Sequence, residues 1–370
     1  MAEYVEPVSV PVDKITSSCR TLTLAALLSL VAPATALGQA SPGALPPPAL
    51  RVVGGLAGLN QYTRQEEPFW TRRLGELSGG RFRAEIVPFD RAGIRGAELL
   101  PMVRLGTVPF GTLLLSQAAP RDAEFAAPDL AGLNPDVATL RKVVNAWRPR
   151  LQALLRERHN AELLAVYAYP AQVAFCKRPI DGLAGLKGLR VRTSSQTQSD
   201  LVRALGGEPL TVPLAQVVAQ VQSGNLDCAL TGTMSGHTIG LDTVTTHLLP
   251  LPLTWGLSMF VAHGPSWQAL PAELRTLLQR ELPQLEAAIW DDAERETAEG
   301  IRCSTGTGAC PTGKPARMTL VTPDPQDVAL RRQVLATEVL PRWLERCGAA
   351  CATEWNIRLA PVVGSRVGSN

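Results

Sequence analysis

Aromatic residues are scarce in this chain and histidines scarcer: its 370 residues hold seven Phe, seven Trp, four Tyr and four His. His159, His237, His247 and His263 stand apart from one another, so no histidine pair announces a metal site or a general base. There is no G-x-S-x-G elbow, no H-E-x-x-H and no G-x-G-x-x-G opening a helix after a strand. Serine-hydrolase, zinc-protease and dinucleotide-binding readings therefore lack their motifs. The run from Gly308 to Lys314 has the spacing of a phosphate-cradling loop, but Pro315 stands where Ser or Thr is needed and no helix is announced. Charge of one sign is missing too. A balance of 36 Lys+Arg against 33 Asp+Glu leaves +3, too small and too dispersed to mark a nucleic-acid or anionic-membrane surface. What is present, 45% hydrophobic and 19% charged residues, is the composition of a packed globular chain long enough for two domains.

The long apolar stretch of the first third, Leu22 to Ala36, falls short of the roughly 20 residues that span a bilayer. Flanked by Lys14 and Arg20, with small residues at Ala34, Ala36, Gly38 and Ala40, it reads as the core of a signal peptide over residues 1–40. Glu3, Glu6 and Asp13 depart from the usual basic start. Export to the periplasm is expected, with a cytoplasmic location the less favoured reading. Residues 41–49 form a Pro-rich spacer. Beyond it lie Cys176, Cys228, Cys303, Cys310, Cys347 and Cys351, an even number that suggests disulfides in an oxidising compartment. Six thiols allow fifteen connectivities. Cys303 with Cys310 would close a short Gly-rich loop, Cys347 with Cys351 would join positions about one helical turn apart, and Cys176 with Cys228 would remain. A zinc site is disfavoured, because there is no CxxC and no His near these cysteines in sequence.

From Leu50 onward, short apolar runs alternate with helical patterns, which argues for α/β lobes with mainly parallel sheets. Two stretches share a layout: a helix ends at Gly106 or Gly224, and the chain then enters FGTLLLSQ or LDCALTGT. Ligands of open α/β sheets sit beyond the carboxyl ends of strands, so Ser116, Gln117, Thr231 and Thr233 become candidate cleft residues. A long amphipathic pattern begins at Pro271, with Leu274, Leu277, Leu278 and Leu282 on one face. Pro283 is expected to kink or split it, and Asp291, Asp292, Glu294 and Glu296 to form a solvated face. In GLKGLRVRTSS, a strand over Leu189 to Thr193 puts Arg190 and Arg192 on one face. A guanidinium there could take a ligand carboxylate through two parallel hydrogen bonds.

Arg178-Pro-Ile-Asp181 leading into Leu186-Lys-Gly-Leu-Arg-Val-Arg192, then Ala204-Leu-Gly-Gly-Glu-Pro209, Pro213-Leu-Ala-Gln-Val-Val218, Gln222-Ser-Gly-Asn-Leu-Asp227 and Trp267-Gln-Ala-Leu-Pro-Ala-Glu-Leu274 follow in order. Together they resemble the DctP-like substrate-binding proteins of tripartite ATP-independent periplasmic (TRAP) transporters, over about Leu50 to Leu340. The resemblance implies an α/β, two-lobed periplasmic binding protein fold: hinged lobes with mixed, mainly parallel sheets and a long hinge-spanning helix. Lobe I would comprise 50–169 plus 258–297 and lobe II 170–257 plus 298–360, with 361–370 a flexible tail. Arg192 occupies the position of the family's carboxylate-clamping arginine. Gln172 falls where some members carry a second arginine, and Thr231-Gly232-Thr233 replace an acidic-Asn-Pro stretch, so substrate identity does not transfer. Pro109 and the cysteine-rich end from Cys303 to Cys351 also depart from the usual pattern. On this reading Gln117, Gln172, Thr231 and Thr233 offer neutral hydrogen bonds, Trp255 covers the ligand's apolar body, and Asn60 and Tyr62 complete the site from lobe I. The implied protein is a monomer that is no enzyme. It carries no cofactor or metal, binds no nucleic acid, and hands a small organic acid to the membrane permease subunits of a TRAP transporter. The alternatives are a ligand-sensing periplasmic module for a signalling receptor, and a secreted hydrolase or isomerase without a recognisable motif.

Overall fold

The computed structural model describes residues 49–311 and 313–368. The expected signal peptide and all but the last residue of the spacer lie outside this range. Eleven strands form two sheets among the described residues. The first sheet has the order β2-β1-β3-β10-β4, built from β1 (Leu50–Gly54), β2 (Ala84–Pro88), β3 (Phe110–Leu114), β4 (Ala161–Ala168) and β10 (Leu257–His263). The second has the order β11-β9-β5-β8-β6-β7, from β5 (Gln172–Cys176), β6 (Arg190–Thr193), β7 (Glu208–Thr211), β8 (Cys228–Gly232), β9 (His247–Thr254) and β11 (Thr319–Leu320). Each sheet is mixed for the same reason. β10 runs antiparallel to β3 and β4, and β5 runs antiparallel to β8 and β9, while the remaining pairings are parallel. The two lobes are thus α/β, as the strand and helix alternation implies.

Period-two alternation puts the first sheet between two apolar layers. Along β10, Met259 and Val261 enter the core that holds Leu140, Val144, Trp147 and Leu151 of the helix Val137–His159. Phe260 and Ala262 point the other way, against Trp70, Leu74, Leu274, Leu278 and Leu282. The last three belong to a helix of 34 residues, Ala272–Thr305. Pro283 neither splits nor ends this helix. Leu278, Leu282, Leu285 and Ile289 are all buried around it, and that packing offsets the one hydrogen bond a helical proline removes.

The long helix is the spine of the fold. β4 is an edge strand, and its outward backbone groups at Val166 are satisfied by that helix: Glu286 accepts from Val166 N at 3.1 Å, and Trp290 Nε1 donates to Val166 O at 2.8 Å. About two turns onward Thr297 Oγ1 accepts from Ala171 N at 3.0 Å, and Thr233 Oγ1 donates to Glu296 O at 3.2 Å, so the same helix holds elements of both sheets. Gly300 permits this approach: a Cβ there would lie 2.2 Å from Met234 N.

The three disulfides are Cys176–Cys228, Cys303–Cys310 and Cys347–Cys351. The first joins directly opposed residues of β5 and β8. The short layout shared by two stretches is present in both lobes: Gly106 and Gly224 adopt left-handed φ of 77° and 80° before β3 and β8. Residues 361–368, expected as part of a flexible tail, are tied down. Asn356 and Val367 exchange two hydrogen bonds of 2.8 and 2.9 Å, and Trp355 Nε1 donates to Ser365 O.

Candidate functional site

The carboxyl ends of β6, β8 and β9 and the start of β5 share one edge of the second sheet, since Gln172 pairs with both Gly232 and Thr254. Arg192, on β6, is the chemically unusual residue there. Its side chain is 5% exposed. Nε donates to Val212 O at 2.9 Å and Nη1 to Leu230 O at 2.7 Å, yet no carboxylate pairs with it among the described residues. Burial alone pulls its pKa down, to about 10, so it stays cationic at neutral pH. Arg190, two residues earlier on the same face, has the opposite fate. It is bonded through two nitrogens to Asp227 at 2.9 and 3.0 Å, and that pairing holds the Asp227 carboxyl below the usual carboxylate range. The chain therefore neutralises one arginine and leaves the more deeply buried one with only neutral carbonyl acceptors.

The other expected residues fall into groups. Register pairs Arg192 with Ala229, so Thr231, two residues on and buried, shares the Arg192 face. Gln172 enters a network at the same sheet edge: Ser194 Oγ and Gln198 Nε2 both donate to its Oε1, at 3.0 and 2.5 Å, and Gln198 Nε2 also reaches Thr254 Oγ1 at 2.6 Å. Ser194 and Gln198 escaped the sequence reading, although Ser195 caps the helix Gln196–Ala204 and so fixes where Gln198 points. Thr233 is completely buried at the spine helix, with its hydroxyl on Glu296 O. Gln117 packs beside Gly96, where a Cβ would meet its Oε1. That oxygen is buried with no hydrogen-bond partner.

Trp255 sits in the link between β9 and β10, deep in the core, with its indole N–H donating to Asn134 O at 3.1 Å. Asp129 holds this link. Its carboxylate accepts from Trp255 N at 3.0 Å and from Gly256 N at 2.8 Å, while burial pushes its pKa up to about 7. The link between β4 and β5 is bonded to the same place through Tyr169 N and Gly256 O at 3.0 Å. The two chain crossings thus form one hydrogen-bonded hinge.

Asn60 and Tyr62 separate. Asn60 Nδ2 donates to Glu296 at 2.7 Å, and Gln65 Nε2 to Asp292 at 2.6 Å, so part of the acidic run expected to be solvated instead faces the first lobe. Glu296 is buried, which raises its pKa. Tyr62 is core, stacked over Gly54, and desolvation raises its pKa to about 12. Asn60, Gln61, Tyr169, Pro170, Ser235 and Glu296 line a cavity of about 20 Å³ between the lobes. Such a volume admits a water molecule rather than an organic acid. Arg192, Gln172 and Thr231 do not line it. None of the described helices is long and apolar enough to cross a membrane.

Residues 57–305 match the family model described as bacterial extracellular solute-binding protein, family 7. Among solved structures, the chain is similar to a Bordetella pertussis extracytoplasmic solute receptor binding pyroglutamic acid. The identity is 21% and the TM-score 0.74, over 84% of this chain and 99% of that one. It is similar as well to a TRAP periplasmic solute-binding protein of Desulfovibrio salexigens with bound orotic acid, at 14% identity and TM-score 0.74 over 85% and 98%. A third is a Pseudomonas aeruginosa TRAP protein with bound L-malate, at 15% identity and TM-score 0.69 over 80% and 100%.

Proposed function

Because the chain belongs to the bacterial extracellular solute-binding proteins of family 7, we propose that it works in the periplasm as the receptor of a TRAP transporter, clamping a carboxylate-bearing organic acid between its lobes. One observation carries the ligand class: Arg192 is a buried cation with no carboxylate partner among the described residues. A buried charge is stable only when paired, and its two carbonyl partners cancel none of its charge. A ligand carboxylate supplies the missing anion through parallel charge-assisted bonds in a water-poor setting. Thr231 on the same face and the Gln172, Ser194 and Gln198 network at the sheet edge offer neutral partners for the rest of the molecule. The relatives named above bind pyroglutamate, orotate and L-malate, acids that share only the carboxylate and small size.

A ligand that bridges the lobes enters when they part, by bending at the paired crossings Tyr169–Ala171 and Trp255–Gly256. A ligand that touches both lobes shifts this equilibrium by its extra affinity for the closed form. The closed form is then what the permease subunits recognise. No nucleophile and base stand together at this edge, so a sensing role is the nearer alternative to transport and hydrolysis the more remote.

Native mass spectrometry of the protein purified from its periplasm, beside Arg192→Ala, tests the reading. A small acid should accompany the unaltered chain and be absent from the variant, whose affinity for that acid should fall at least about 100-fold, as expected for a truncated buried charge pair. The same acid at the same occupancy on both proteins would remove Arg192 as the anchor.

A further inference from the structure

The helix Thr233–Thr238 and the loop that follows the spine helix bring together residues far apart in sequence. His237 Nε2 lies 3.6 Å from Cys310 Sγ, across 73 positions of chain, and Cys310 is bonded to Cys303. The ligand atoms of His237, Cys303 and Cys310 all fall within 4.8 Å of one another. On the far side of the imidazole, His237 Nδ1 is 2.5 Å from Asp242 Oδ2. Cys303 is buried at the end of the spine helix, while Cys310 and His237 are half-buried, so the cluster has a rigid floor and an approach from solvent.

From this geometry we infer a redox-gated site for a thiophilic divalent cation, held by His237, Cys303 and Cys310 once their disulfide is reduced. In the oxidised chain both sulfurs are bonded to each other and neither can act as a thiolate ligand. The nitrogen is already in position. Zinc-like bonds of about 2.3 Å to sulfur and about 2.05 Å to nitrogen at a tetrahedral angle separate S from N by roughly 3.6 Å, the spacing found here between His237 and Cys310. Reduction moves the two sulfurs apart to nonbonded contact, which is close to the roughly 3.8 Å between two sulfurs on one tetrahedral ion. Asp242 supplies what ligating histidines ordinarily have, a carboxylate that accepts a hydrogen bond from Nδ1–H and so directs the Nε2 lone pair outward. Three protein ligands leave the fourth position to water.

The step balances as follows. A dithiol reductant passes two electrons and two protons to the Cys303–Cys310 disulfide and becomes a disulfide itself. Binding of the dication then releases both thiol protons to solvent, and the dithiolate cancels the charge of the ion. Nothing in this site touches Arg192 or the sheet edge, so it stands apart from the organic-acid reading.

Cobalt(II) is the probe. The chain carrying Cys19→Ser, Cys347→Ser and Cys351→Ser is reduced until two thiols titrate, which assigns them to Cys303 and Cys310 because the Cys176–Cys228 disulfide is wholly buried. The expected result is one cobalt per chain, with a sulfur-to-cobalt charge-transfer band and tetrahedral ligand-field bands, and neither band in the oxidised chain. Asp242→Asn should weaken binding about 10- to 100-fold with the band retained, the usual effect of losing a partner behind a ligating histidine. His237→Ala should change the ligand-field bands as well as the affinity. Absence of the charge-transfer band from the folded, reduced chain overturns the inference. So does a His237→Ala chain with unchanged spectrum and affinity; should that variant not fold, an Asp242→Asn chain with unaltered affinity decides the matter in the same direction.

Discussion

Arg190 and Arg192 show how two identical side chains on one strand face acquire different roles. Asp227 accepts the Arg190 side chain and its backbone N–H, and no acid reaches Arg192 among the described residues. The alternation that places both arginines on one face is legible in GLRVRT, but the distinction between them is not, because Asp227 arrives from 37 residues away. Asp129 was invisible for a similar reason, since its two backbone donors lie at Trp255 and Gly256. Its titration is testable. The carboxyl ionises near 3.8 when unfolded and at about 7 when folded, so the native state holds the extra proton between those values. The stabilisation is present in full below about pH 4 and is lost as pH rises toward and through 7, at up to about 1.4 kcal/mol per pH unit. Thermal melts from pH 4 to 8 should therefore show Asp129→Asn with a flatter pH dependence than the unaltered chain. Parallel curves would exclude Asp129 as the titrating group.

At the scale of elements, the spine helix is where sequence pattern succeeded and then misled. Its apolar stripe at Leu274, Leu277, Leu278 and Leu282 announced a long amphipathic helix, whereas Pro283 argued for a break that packing overrides. The acidic run was equally ambiguous. Asp291 is exposed, but Asp292 and Glu296 are bonded by Gln65 and Asn60, more than 200 residues earlier in the chain. Gly300 is a further element-scale determinant. A methyl group at this position meets Met234 N at 2.2 Å and Thr233 C at 2.4 Å, backbone atoms that cannot turn aside. Gly300→Ala should therefore cost on the order of 1–3 kcal/mol in denaturant unfolding and loosen the Thr233 to Glu296 hydrogen bond, despite the better helix propensity of alanine. Unchanged stability would mean that the helix slides away from Thr233 at no cost.

At the scale of the whole molecule, the two-lobed plan was readable because helix, Gly turn and strand repeat around Gly106 and Gly224, and because family motifs follow in order. The cross-lobe contacts were not, since each joins segments that no local pattern links. The disulfides divide along the same line. Cys176–Cys228 closes a separation of 52 residues within one sheet, whereas Cys347–Cys351 closes a separation of four. Chain-entropy arithmetic gives about 4 kcal/mol for the first and about 2 kcal/mol for the second. Replacing both cysteines of each pair by alanine should lower Tm distinctly more for the β5–β8 pair, and equal losses would show that native-state packing rather than loop closure sets its worth.

The strand order also dictates a schedule. β10 lies between β3 and β4, so the first sheet waits for a strand made long after its neighbours, whereas β5, between β8 and β9, is made before both. Until Leu257–His263 has left the ribosome, β3 and β4 each keep an open edge, and such edges recruit other chains. A fragment ending before this strand cannot be a smaller version of the protein. Completion of the first sheet is therefore postponed until residue 263 has been made, long after β3 and β4.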